Sequence, residues 1–146
     1  MHKTIIITGS TGVGKSYIAS AIGHKACSLG YKVIYFNAIK LFTKMKIAKA
    51  DGSYLREINK LEKQDLLIID DFGLKALDNT NRHVLMEIIE DRHGKKATII
   101  ASQLPTQAWH EVIGEQTIAD AILDRIVHSA HRINLIGESM RKKLKK

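Results

Sequence analysis

Residues 3–16 read KTIIITGSTGVGKS, and no other stretch narrows the choice of fold as far. A short β-rich apolar run (3–8) ends in a glycine loop. That loop opens a segment of helical period (15–29), which Gly30 stops. The loop GSTGVGKS (9–16) fits GxxxxGK[ST] at every position. Its glycines let the backbone wrap a phosphate with successive N–H groups turned inward, and the start of the following helix adds partial positive charge. In this pattern Gly9, Ser10, Thr11, Gly12, Val13 and Gly14 form the cradle, with Tyr17 beside it in the first helical turn. Lys15 is expected to reach the β- and γ-phosphates of a nucleotide, and Ser16 to offer its hydroxyl to Mg2+. An ordinary glycine-rich turn is the competing reading, and the strand–loop–helix context disfavours it.

Strands and helices alternate along the rest of the chain. KVIYFN (32–37) reads as a second strand, 38–49 as a basic amphipathic helix and 54–63 as another helix after the DGS punctuation at 51–53. LLIID (66–70) is a buried strand, 81–93 a helix ended by Gly94, ATIIAS (97–102) a fourth strand, 117–130 a helix and RINLI (132–136) a fifth strand. Apolar runs of this length separated by helices predict an α/β fold: a parallel sheet covered on both faces, in three α/β/α layers. The core is expected over 1–137, with 138–146 a basic tail.

Two acids close the third strand in LLIIDDFG (66–73), at the C-terminal edge where α/β sheets bind ligands. Asp70 is expected to hold Mg2+ through water. Asp71 is placed to orient or deprotonate an attacking water; a helix-capping pair is the alternative. Asp71 is one methylene shorter than glutamate, which predicts slow basal hydrolysis. Ser102 and Gln103, at the polar end of the fourth strand, are expected to hydrogen-bond the γ-phosphate or the water, with capping as the other role for Ser102.

The 146 residues suit one domain with one real core. A net charge of +8 favours an anionic partner: nucleic acid, nucleotide or membrane headgroups. The single cysteine, Cys27, excludes an internal disulfide and a Cys-rich metal site, and suits a reducing cytoplasm. The seven histidines show no HExxH-like spacing, so no histidine metal site is expected. No apolar run has transmembrane length, and the N-terminus turns polar too soon for a signal peptide; the expectation is a cytoplasmic protein without a membrane partner.

The segments GSTGVGKS, LLIIDDFG, IIASQLP, ADAILDRIVHSAHRI and GESMRKK, in that order, resemble IstB, the ATP-binding helper of certain insertion-sequence transposons, itself similar to the DnaC helicase loaders. ADGSY (50–54), EDRHG (90–94) and WHEVIGEQTIADAILDR (109–125) extend the resemblance over essentially the whole chain. It implies an AAA+ core with a P-loop NTPase fold and a five-stranded parallel sheet of order 5-1-4-3-2. It also implies self-association into a ring or spiral, with ATP and Mg2+ at the subunit junctions. Arg125 of ILDR lies off the apolar helical face that carries Ile122 and Ile126, and it resembles the arginine finger that contacts a neighbour's γ-phosphate. A solvated surface charge is the bland alternative. Arg141 of GESMR resembles the sensor arginine that acts on the chain's own nucleotide.

The resemblance further implies binding and bending of duplex DNA with little sequence preference, and assistance to a partner transposase. Lys40, Lys44, Lys46 and Lys49 on 38–49, with Arg56 and Lys60 on the next helix, are the candidates for DNA phosphate contacts, which carry affinity without sequence information. Members of the group carry further helical residues ahead of the first strand that contribute to DNA and partner contacts and cover the adenine, whereas the sequence here starts almost at that strand. Three other readings stay open. They are a DnaC-type replicative helicase loader preferring single strands, a small-molecule kinase, for which no lid arginine cluster is visible, and a non-catalytic, nucleotide-gated DNA-binding module.

Overall fold

The computed structural model describes residues 3–10, 14–128 and 130–135. The elements run β1 (Thr4–Gly9), α1 (Lys15–Ser28), β2 (Val33–Asn37), α2 (Ala38–Asp51), α3 (Tyr54–Lys63), β3 (Leu66–Asp70) and α4 (Asn79–Arg92). They continue with β4 (Ala97–Ser102), a single 3-10 turn (Thr106–Ala108), α5 (Trp109–Ile113), α6 (Gln116–Val127) and β5 (His131–Leu135). The strands pair in the order β2-β3-β4-β1-β5, parallel throughout. Read from the other edge this is the expected 5-1-4-3-2.

The interior strands β3 and β4 are buried along their whole length, which is why they read as unbroken apolar runs. Side chains alternate across the sheet. Ile6, Leu67, Ile69 and Ile100 face a large core with α2, α3, α4, α5 and α6, whereas Ile7, Leu66, Ile68, Ile99 and Ala101 face a smaller one with α1. The layers are therefore unequal: among the described residues α1 alone covers one face. Gly23 lets it lie close, since a Cβ there would stand 2.9 Å from Ile68 Cδ1.

Several boundaries differ from the sequence expectation, most by a single residue. α4 begins at Asn79 rather than 81, because Asp78 caps it by accepting from the Asn81 N–H at 2.8 Å. α6 stops at Val127, short of 130, and β5 starts at His131, with Ile136 outside the described residues. The turn at 106–108 and the five-residue α5 were not expected, because neither is long enough to show a helical period. Trp109 anchors that region: it is fully buried, edge-on to Phe72 with ring centroids 4.9 Å apart, and its indole N–H donates to the Leu104 carbonyl at 3.0 Å. Among the described residues no helix is long and apolar enough to cross a membrane.

Candidate nucleotide site

The C-terminal ends of β1, β3 and β4 and the start of α1 meet at one edge of the sheet. Parallel register builds that edge: Thr8 stands opposite Ser102 on one side and Asn134 on the other, and Asn37 stands opposite Asp70. Gly14, at φ +97°, turns the chain from the loop into α1, a conformation that only glycine adopts without strain. No side chain caps the helix it opens. Lys15 follows at once and is 5% exposed, and no described residue pairs with its ammonium. A buried cation in this state is costly unless an anion meets it. With the backbone donors of an uncapped helix start beside it, the position fits a phosphate. Gly9 and Ser10 enter the loop from β1. Tyr17 projects its ring into solvent, 75% exposed. Thr11, Gly12, Val13 and Arg141 lie outside the described residues, as does the tail 138–146.

Ser16 and Asp70, expected to share a metal, do meet. The Ser16 hydroxyl donates to Asp70 Oδ2 at 2.7 Å, and Asp70 is 4% exposed. A hydroxyl and a carboxylate are the hard oxygen donors that Mg2+ takes, so the pair fits that ion. Asp71 is the only non-glycine residue at positive φ among the described residues, at +56°. Its own N–H donates to Asp70 Oδ1 at 2.8 Å.

Two side chains of this site were not read from the sequence. Asn37 bridges two elements: its Oδ1 caps α2 by accepting from the Ile39 and Lys40 N–H groups, and its Nδ2 donates to Asp71 Oδ2 at 3.1 Å. The Tyr35 hydroxyl donates to Asp70 Oδ2. Burial, reinforced by the Asp70 carboxylate, pushes this phenol far above the usual tyrosine range, so it remains a donor at any physiological pH. Tyr35 is the central residue of β2 and Asn37 its last, and only the β2–β3 register brings them to Asp70 and Asp71. The signal in the sequence for Asn37 was a polar end to an otherwise apolar strand.

At the end of β4, Ser102 and Gln103 part company. The Ser102 hydroxyl is fully buried, donates to the Phe72 carbonyl and accepts from the Leu104 N–H at 3.0 Å. It clasps the β3 and β4 exits together. Gln103 is exposed and lines a cleft with Gly9, Ser10, Pro105 and Asn134.

Arg125 is neither a free surface charge nor in the site of its own chain. Its guanidinium reaches Glu90 of α4 at 3.2 Å and donates to the Ala121 carbonyl at 2.9 Å. The neighbouring Asp124 lies near His128 instead, 3.6 Å away.

The basic candidates lie on α2 and α3. Lys40 and Arg56 are exposed. Lys44 and Lys60 both pair with Glu57, at 3.4 and 3.5 Å, and Lys46 pairs with Asp78. Lys49 stands over the Tyr54 ring, 4.8 Å from its centroid, and Tyr54 itself donates to Glu87 at 2.7 Å. Exposed pairs of this kind are worth little and exchange readily for a phosphate.

The model of the IstB-like ATP binding protein family matches residues 1–146. The chain belongs to the IstB-like ATP-binding protein family. It is 52% identical over 97% of its length to an insertion sequence ATP-binding protein of Sinorhizobium fredii, covering 58% of that protein. It is 30% identical over 99% of its length to the ATP-binding protein of insertion sequence IS21 from Pseudomonas aeruginosa, covering 54% of it. This IstB-like chain thus spans just over half the length of these two relatives. Among solved structures it resembles the DnaC helicase loader, with a TM-score of 0.80 at 20% identity over 92% of this chain and 79% of that one. It also resembles AMPPCP-bound DnaA of Aquifex aeolicus, with a TM-score of 0.77 at 24% identity over 99% of this chain and 46% of that one. These likenesses show the fold, that of AAA+ P-loop NTPases.

Proposed function

We propose that this IstB-like chain is an ATP-dependent, DNA-binding helper of transposition that hydrolyses ATP at junctions between its own copies and assists a partner transposase. The observation that carries the reading is the Lys15 ammonium, buried without a described partner at the uncapped start of α1. ATP places its phosphates there. Lys15 meets the β- and γ-phosphates, Ser16 and Asp70 hold Mg2+, and the bound ion neutralises phosphate charge. Asp71 orients the attacking water, with Gln103 beside the γ-phosphate, while Ser102 keeps the two strand ends together. Arg125 leaves Glu90 to reach the γ-phosphate of a neighbouring copy, where its guanidinium offsets the charge that develops in transfer. Arg141 serves the chain's own nucleotide. The lysines of α2 and α3, with Arg56, meet duplex DNA phosphates. The sequence relatives, named for insertion sequences, favour this over a helicase-loader role, which shares only the fold.

The test is particle mass in solution with duplex DNA, with and without a non-hydrolysable ATP analogue, together with turnover of mixed variants. A multi-subunit complex is expected only when DNA and nucleotide are both present. Arg125→Ala and Asp71→Ala should each lose turnover, and mixing them should restore part of it, since one copy supplies the arginine and the other the acid. No recovery at any ratio sinks the shared site. Assembly on single strands but not duplex turns the reading toward a helicase loader. DNA affinity should also fall steeply with salt.

A further inference from the structure

Asp70 has three donors and only two oxygens. Its Oδ1 takes the Asp71 N–H at 2.8 Å, while Oδ2 takes both the Ser16 hydroxyl at 2.7 Å and the Tyr35 hydroxyl. Two of these donors belong to residues already assigned to the site. The third comes from a different strand. Tyr35 stands opposite Ile68 in the β2–β3 register, so it shares with Ile68 the sheet face that carries α1, and Asp70 follows two residues later on that same face. Its ring is 43% exposed and lines a shallow groove with Gly23, His24 and Val33. A ring so placed adds little to the core. Its hydroxyl, by contrast, is committed to Asp70.

The three donors differ in what they can do when a divalent cation arrives. The Ser16 hydroxyl can keep its proton on Oδ2 while a lone pair meets the ion, but it then belongs to the ligand set itself. The Asp71 N–H fixes only Oδ1. Tyr35 is the donor to Oδ2 that comes from outside the ligand set, and a phenol held by a sheet strand has few ways to move. Resting on the reading of Ser16 and Asp70 as the Mg2+ site, we propose that Tyr35 is a positioning residue of that site. Its hydroxyl fixes the orientation of the Asp70 carboxylate so that the carboxylate is set for the cation before the cation binds. Hydrogen-bond partners behind metal ligands typically govern affinity by 10- to 100-fold.

The experiment compares wild type with Tyr35→Phe, which keeps the ring and removes only the hydroxyl. The probe is a fluorescent N-methylanthraniloyl ATP, bound first in EDTA and then across a Mg2+ titration. For Tyr35→Phe, affinity in EDTA should stay within about twofold of wild type, because Lys15 and the loop are untouched, while the Mg2+ concentration at half-effect should rise about 10-fold. Superimposable Mg2+ titrations overturn the proposal. So does an equal loss in EDTA and in Mg2+, which would make Tyr35 a merely structural residue. A tighter Mg2+ response in the variant would show that the phenol competes with the ion, and also overturns it. Wild type that binds nucleotide with no Mg2+ response at all refutes the metal role of Ser16 and Asp70, and this inference with it.

Discussion

Among the described residues two cations are buried, at opposite edges of the sheet, and they are treated in opposite ways. Arg92, at the end of α4, is 2% exposed. Its guanidinium donates to the Leu61, Gln64 and Ala97 carbonyls at 2.6, 2.9 and 2.6 Å and to the Thr98 hydroxyl at 3.0 Å. Burial lowers it to about 10, still charged at neutral pH. Lys15, at the start of α1, is 5% exposed and has no described partner. The first charge is satisfied within the fold and joins α3, α4 and β4. The second is left for something else. Burial of a charge therefore does not mark a site. What marks it is burial combined with unspent hydrogen-bonding capacity. Side chains cap α2, α4 and α6, whereas α1, α3 and α5 open without one, so an uncapped start points to a site only at α1, where a buried cation without a described partner stands beside it.

The sharpest way to break the comparison is to remove each cation in turn. Arg92→Ala strands the Leu61, Gln64 and Ala97 carbonyls in the interior and should cost about 3–5 kcal/mol in urea unfolding, the largest effect expected from any single change here. Lys15→Ala removes a charge that no described residue balances, so the unfolding midpoint should hold or rise slightly. Calorimetric ATP affinity should nevertheless fall on the order of 100-fold, as charge-assisted bonds to phosphate are lost. If Lys15→Ala destabilises the fold as much as Arg92→Ala, the two cations are alike and Lys15 is structural.

The contrast was only half legible in the chain. GSTGVGKS and LLIID declare themselves because their information is local: glycine spacing, one apolar run, one acid at its end. The sheet order followed from the family resemblance, and the parallel sheet from the alternation of apolar runs and helices. Arg92 gives no such sign, since a lysine- and arginine-bearing helix end reads as solvated. Its burial depends on carbonyls contributed from three other places. Tyr35 and Asn37 were silent for the same reason, being joined to Asp70 and Asp71 by strand register rather than by spacing. Arg125 was visible as an arginine off the apolar face, but Glu90, 35 positions earlier, was not visible as the group that holds it. Ser102 read only as the polar end of a strand, and its bond to the Phe72 carbonyl, 30 positions earlier, left no mark in the sequence.

A finer test lies at Asn37, which sits between the two kinds of behaviour because its amide both caps a helix and touches the acid of the site. Asn37→Ala should lower stability by about 1 kcal/mol through loss of the α2 cap. Asn37→Asp keeps an acceptor for the Ile39 and Lys40 N–H groups but turns a carboxylate toward Asp71, where an amide donated before. Stability near wild type, with ATP turnover changed, is the outcome that separates the cap from the contact with Asp71. Equal loss of stability in both variants would show that the cap needs the amide itself.

The smallest effect concerns the two acidic caps, Asp78 of α4 and Glu115 of α6. Hydrogen bonds from the Ile118 and Thr117 N–H groups hold Glu115 below its usual range. The Lys46 ammonium and then the Asn81 N–H do the same for Asp78. Both carboxylates are lowered in the folded state, so each contributes stability that is fully present above the ordinary carboxylate range and is lost as pH falls through the lower folded value. The urea midpoint should thus be flat through neutral pH and decline only in the acid limb, below about pH 4. Asp78→Asn with Glu115→Gln should make that limb shallower, while leaving Lys15-dependent ATP affinity at neutral pH unchanged. A wild-type limb that begins near pH 6 would show that these two carboxylates are not what governs the acid loss of stability.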